Sequence, residues 1–153
     1  MLTKDIVECA KRSVLCWLAT CDEEGVPNVS PKEIFTIWSD AQILIANIAS
    51  PGSVRNIEVN AQVCLCFVDV LIQKGFKLKG QARNVRPSDP DYLELVKPLE
   101  AMTFGRFVIE SIILMEVVSV DRVLAPSYQF YGHEVSEMTQ KASAMKAYGV
   151  QPL

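Results

Sequence analysis

Ser50, Gly52, Ser53 and Arg55 lie close together between two apolar, β-prone runs, Ile43 to Ala46 and Val63 to Phe67. Asn47, Ser50, Pro51, Gly52 and Ser53 read as a polar turn. Val54 to Asn60 read as two helical turns, with Ser50 or Gly52 near the cap and Pro51 tolerated at the first turn. Free backbone N–H groups and the positive end of a helix meet at such a corner, and the chemistry they suit is anion binding, above all of a phosphate. One helix end gives an anion only ~0.3–1 kcal/mol, so a phosphate site needs further donors or a cation. Ser53, Arg55 and Lys32 are the candidates. The same residues also suit a corner that binds nothing.

Other chemistry has less support. His133 is the sole histidine, and no nucleophile motif accompanies it. Cys64 and Cys66 fall on one face of a strand, but no second cysteine pair or histidine cluster completes a zinc site, and they read as small buried hydrophobes. No glycine-rich dinucleotide or Walker motif is present. The five cysteines form no disulfide framework, and a formal net charge of −3 gives no nucleic-acid surface. Lys4, Asp5, Glu8, Lys11 and Arg12 interrupt any apolar leader, and the longest apolar run, Ile112 to Val120, carries Glu116 and is too short to span a bilayer. A soluble, reduced, cytoplasmic protein without nucleic-acid or membrane partners is expected.

The elements that would position the corner follow from periodicity. Thr3 to Arg12 reads as a helix and Val14 to Thr20 as a strand. A hairpin turn at Asp22 to Gly25 precedes a long strand, Val26 to Trp38, with Pro31 marking an edge or bulge. Gln42 to Asn47, Gln62 to Asp69 and Phe76 to Val85 are further strands. A helix from Ser88 to about Met102 buries Tyr92, Leu95, Val96, Leu99 and Met102. Phe107 to Val120 is a strand buried on both faces. An aromatic loop, Pro126 to Gly132, leads to a terminal helix over about 134–148, whose Val135, Met138, Ala142 and Met145 form a narrow seam suited to another surface. Tyr128, Phe130 and Tyr131 fit either a ligand pocket or packing on their own barrel, and Trp17 and Trp38 read as packing residues. With 153 residues and no regular βα alternation, one domain is expected, built as a small antiparallel barrel.

Gly25-Val26-Pro27-Asn28-Val29, Ser30-Pro31-Lys32, the run Ile43 to Ser50 with Ser53 and Arg55-Asn56-Ile57, Glu58 to Val63, and Lys79-Gly80-Gln81-Ala82 follow one another in an order that resembles the pyridoxamine 5′-phosphate oxidase-like family. The resemblance covers residues 5 to 87. It implies a mainly β chain with flanking helices, a six-stranded antiparallel split β-barrel, and a homodimer with FMN at the subunit interface. By that resemblance Ser30, Pro31 and Lys32 run along the flavin toward its phosphate. Ala46, Asn47 and Ile48 lie beside its ring. Ser50, Gly52, Ser53 and Arg55 form the phosphate corner, and Asn56 braces it. The implied activity is an FMN-dependent oxidoreductase related to pyridoxamine 5′-phosphate oxidase. A non-catalytic electron carrier or flavin sensor, and a split barrel binding F420 or haem, stay open. Many members carry a basic residue where this chain has Ser30, Gly52 or Ser53, leaving Lys32 and Arg55 to balance the phosphate. The C-terminal arginine pattern of the oxidases that act on pyridoxamine phosphate is not seen in Lys146 to Val150.

Overall fold

The computed structural model describes residues 2–152. Helix α1 (Lys4–Arg12) is followed by strands β1 (Cys16–Cys21), β2 (Pro27–Lys32), β3 (Phe35–Ile37) and β4 (Gln42–Asn47). Helix α2 (Pro51–Val59) precedes β5 (Gln62–Asp69) and β6 (Lys74–Val85). Two short helices, α3 (Tyr92–Leu95) and α4 (Lys97–Thr103), lead to β7 (Ser111–Leu124), α5 (Pro126–Phe130) and α6 (Glu137–Tyr148).

The strands form one antiparallel sheet in the order β2-β1-β5-β6-β7-β4-β3. β2 and β3 are neighbours in sequence yet occupy opposite ends of that order, so the sheet must curl until its two edges approach. This is a split barrel. The expected long strand from Val26 to Trp38 breaks at Glu33–Ile34, which turns six expected strands into seven. The Ile34 carbonyl accepts from the Ala46 N–H at 2.9 Å, which tethers the break to the far edge.

Two apolar clusters hold the barrel. Leu18, Ile43, Ile45, Leu65, Phe67, Leu78, Ile113 and Met115 fill one, with Ile6 and Cys9 of α1 against them. Leu44, Ala46, Ile112 and Leu114 face the other way and pack with Leu95, Val96 and Leu99. β4 and the first half of β7 are therefore buried on both faces, as a continuous apolar run requires.

Several boundaries differ from expectation for local reasons. The helix expected from Ser88 to Met102 is two short helices, with Pro98 in the first turn of the second, where its missing N–H interrupts the hydrogen-bond ladder although the backbone stays helical through Val96. The strand expected from Phe107 begins at Ser111, and Phe107 and Val108 are exposed. The loop at Pro126 contains a helical turn. The last helix starts at Glu137, where Ser136 and Thr139 form a reciprocal cap. Of its expected seam, Val135 and Met145 are half-buried while Ala142 and Met138, the latter 80% exposed, face outward; the buried residue of the helix is Ala144. Trp17 and Trp38 are also partly exposed rather than buried.

Candidate functional site

The corner after β4 takes the expected shape. Ser50 caps α2 with its carbonyl, which the Val54 N–H bonds at 3.3 Å, and Pro51 occupies the first turn. The N–H groups of Gly52 and Ser53 come before any intrahelical acceptor is available to them. A Cβ placed on Gly52 would meet nothing within 4 Å, so the helix end is open there. Asn47 fixes the approach: its Oδ1 accepts from the Ser50 N–H at 3.1 Å, and its Nδ2 donates to Ser111 Oγ at 2.9 Å.

β2 turns its polar face toward this corner. Asn28 and Ser30 are half-buried and Lys32 is 5% exposed, while Pro27, Val29 and Pro31 face outward. Lys32 Nζ donates to Ser50 Oγ, and the Ser30 and Ser50 hydroxyls lie 3.4 Å apart. Lys32 makes no ion pair among the described residues. Burial pushes its ammonium below the usual lysine range, partly offset by Cys16, its register partner on β1. A buried cation facing a hydroxyl and an open helix N-terminus is built to receive an anion.

Beside Lys32 and Ser50 lies a cavity of about 210 Å³, walled by Pro31, Ile34, Ala46, Ile48 and Phe107, with the acidic Glu33 also on its lining. Sequence reasoning placed Phe107 in a strand and did not associate it with the site. Its exposure follows from Phe104 and Gly105, both with positive φ, which break α4 from β7.

Ser53 and Arg55 are placed differently from the rest. Ser53 is buried, and its hydroxyl accepts from Asn28 Nδ2 at 3.5 Å. Asn56 Nδ2 donates to Thr20 Oγ1 at 3.0 Å, which pins α2 to β1. Thr20 was missed as a support; it sits on the inward face of a strand whose apolar alternation hid it. Arg55 is exposed and lines a separate cleft with Asn47, Pro51, Asn84 and Ser88. Pro31, Lys32, Ala46, Ile48 and Ser50 thus share one cavity; Ser30 touches it through the Ser50 hydroxyl; Asn47, Gly52 and Ser53 form the corner beside it, and Arg55 lines the neighbouring cleft.

The aromatic loop resolves in part. Tyr128 donates its hydroxyl to the Ile72 carbonyl at 2.8 Å, and Lys74 Nζ lies 4.5 Å from its ring centre, so Tyr128 packs on its own barrel. Phe130, Tyr131 and His133 are exposed. Among the described residues no group of three or more His, Cys, Asp or Glu could hold a metal ion.

A split antiparallel barrel flanked by helices, with a helix N-terminus open beside the buried Lys32, defines the class of this protein. A family model described as pyridoxamine 5′-phosphate oxidase matches residues 2–140, and the chain belongs to that family. HupZ from Group A Streptococcus is similar at 21% identity, with a TM-score of 0.70, over 82% of this chain and 96% of that one. An FMN-binding protein from Syntrophomonas wolfei is similar at 13% identity, TM-score 0.65, over 78% and 87%. HutZ, a haem storage protein from Vibrio cholerae, is similar at 18% identity, TM-score 0.61, over 80% and 94%. Comparison with curated protein sequences gave no match.

Proposed function

We propose that this protein binds FMN and serves as an oxidoreductase related to pyridoxamine 5′-phosphate oxidase, working in the cytoplasm as a homodimer. The observation that carries this reading is Lys32, buried without an ion pair among the described residues and directed at Ser50 beside the open end of α2. The residues fit the cofactor's phosphate: an ammonium, two serine hydroxyls and the N–H groups of Gly52 and Ser53 offer donors. Ile34, Ala46 and Ile48 supply an apolar wall that excludes water. When bound, FMN supplies hydride and electron transfer. The chain's own part is to hold the phosphate through Lys32 and Ser50 and to keep Ser50 in place through Asn47.

Membership of the family and likeness to an FMN-binding protein support the reading. A second reading, a split barrel for F420 or haem, is kept open by the uncharged Ser30, Gly52 and Ser53 of the phosphate corner, which Arg55 does not make up for. Because Arg55 lines a separate cleft, Lys32 stands as the cation of this cavity. A non-catalytic electron carrier or flavin sensor would use the same residues, and turnover of a reduced nicotinamide by the loaded protein separates that role from an enzyme.

The visible spectrum of the protein as isolated, followed by the mass of any released cofactor, tests the choice of group. Flavin bands with the mass of FMN support the reading; a Soret band or the mass of F420 rejects it. Lys32→Ala should weaken FMN binding by roughly 1.5–3 kcal/mol, the scale of a hydrogen bond to a charged group. Unchanged affinity on titration would remove Lys32 from the site.

Support for the dimer comes from the outer sheet face. Trp17, Ala19 and Cys21 of β1 lie opposite Pro31, Val29 and Pro27 of β2, and Trp17 and Ala19 also lie opposite Cys66 and Cys64 of β5. These residues share one face, and Trp17 is 46% and Val29 57% exposed. A contiguous apolar face of this kind suits a protein partner, and we assign it to a second copy of the chain.

A further inference from the structure

We infer that Phe107 is the residue that selects a planar aromatic ligand at the Lys32 cavity, by stacking against a ring whose anionic group is held at Lys32 and Ser50. The inference rests on the anion-binding reading above and specifies what else the ligand must carry.

The cavity lining has a polar part, Lys32, Ser50 and the acidic Glu33, and an apolar part that includes Ile34, Ile48 and Phe107. Its volume of about 210 Å³ lies below the roughly 300–1,000 Å³ of sites that enclose a whole ligand. A phosphate fits inside, so a ring attached to it must extend beyond the cavity. Phe107 is on the cavity's lining and is more than half exposed, though the chain places it two residues before the buried Ile109. The segment is set in position rather than left loose. Thr103 is buried, its Oγ1 donates to the Glu100 carbonyl at 2.9 Å and accepts from the Gly105 N–H at 3.2 Å, and its carbonyl accepts from the Arg106 N–H at 3.0 Å. Phe104 takes a left-handed conformation, φ 51°, that a non-glycine residue rarely adopts. The turn thus fixes the segment that leads into Phe107, an exposed ring on the lining that Lys32 and Ser50 share.

Aliphatic phosphates would meet the polar part alone, whereas a phosphorylated heteroaromatic would meet both. Stacking of an aromatic side chain on such a ring changes affinity by roughly five- to 150-fold.

Titration of the full chain with FMN, riboflavin and inorganic phosphate tests this, using Phe107→Ala and Phe107→Tyr. Phe107→Ala should weaken FMN and riboflavin by about tenfold or more and leave inorganic phosphate unchanged. Phe107→Tyr should restore the flavin affinity. Phosphate affinity also reports that the variant is folded. Equal FMN affinity in wild type and Phe107→Ala overturns the inference alone, as does an equal loss of phosphate and FMN. A wild-type protein that binds phosphate but no flavin overturns the flavin reading, and this inference with it.

Discussion

Lys32 and Cys16 face each other across the β1–β2 register, and burial acts on them in opposite senses. The Lys32 ammonium is held below its ordinary range by burial; the Cys16 thiol is pushed up to about 12, also by burial, with Lys32 pulling it back. For Lys32 the native state releases its proton before the unfolded chain does. Its burial therefore opposes folding at neutral pH, and that opposition fades as pH rises through the lowered value toward the ordinary lysine range. For Cys16 the unfolded chain ionises first, so stability falls as pH climbs from the ordinary thiol range toward about 12. Cys16→Ala should flatten the alkaline loss of stability, measured by urea unfolding from neutral to alkaline pH. An unchanged slope would show that Cys16 does not govern it. The spacing of Ser30, Lys32 and Ser50 was legible in sequence, because β alternation puts the first two on one face. That Arg55 points away was not, since a one-residue step on a short helix rotates a side chain by about 100°.

The bend in β6 and β7 belongs to the scale of the element. Pairing shifts between Lys79 and Gly80, where Lys79 lies opposite Ser119 but Gly80 opposite Val117. The extra residue on β7 kinks the strand, and the barrel's curl follows. A Cβ on Gly80 would fall 1.9 Å from the Glu116 carbonyl oxygen, which is backbone and cannot turn aside. Gly80→Ala should cost ~1–3 kcal/mol, seen as a lower urea midpoint. Gly52→Ala, where a Cβ meets open space, should move the midpoint far less. If both behave alike, the close approach at Gly80 is not what limits the strand. Strand positions were legible because the apolar alternation is strong: β4, Gln42–Asn47, lies where periodicity places it. The bulge was not, for Gly80 reads simply as a small residue on a packed face. The break in the long second strand was also hidden, since its alternation continues through Glu33 and Ile34 although the two halves join opposite edges.

For the whole molecule, the curled sheet leaves its outer β1–β2–β5 face apolar, and the proposed dimer would use that face. Trp17→Glu should dissociate the dimer in light scattering without unfolding the chain, because Trp17 is partly exposed in the single chain. A dimer that survives the substitution would move the interface elsewhere. The barrel architecture was legible from strand order and short turns. The apolar outer face was not: Trp17 in an apolar run reads as core, and only the curl decides which side of β1 faces in. Among the described residues no helix is long and apolar enough to cross a membrane.

Placing an ammonium inside the barrel before anything neutralises it makes the empty protein the weaker form. Whatever anion settles against Lys32 raises the folded population by mass action, so the chain's resistance to proteases should track the supply of that anion. Scarcity would then shorten the protein's lifetime before it limited any reaction.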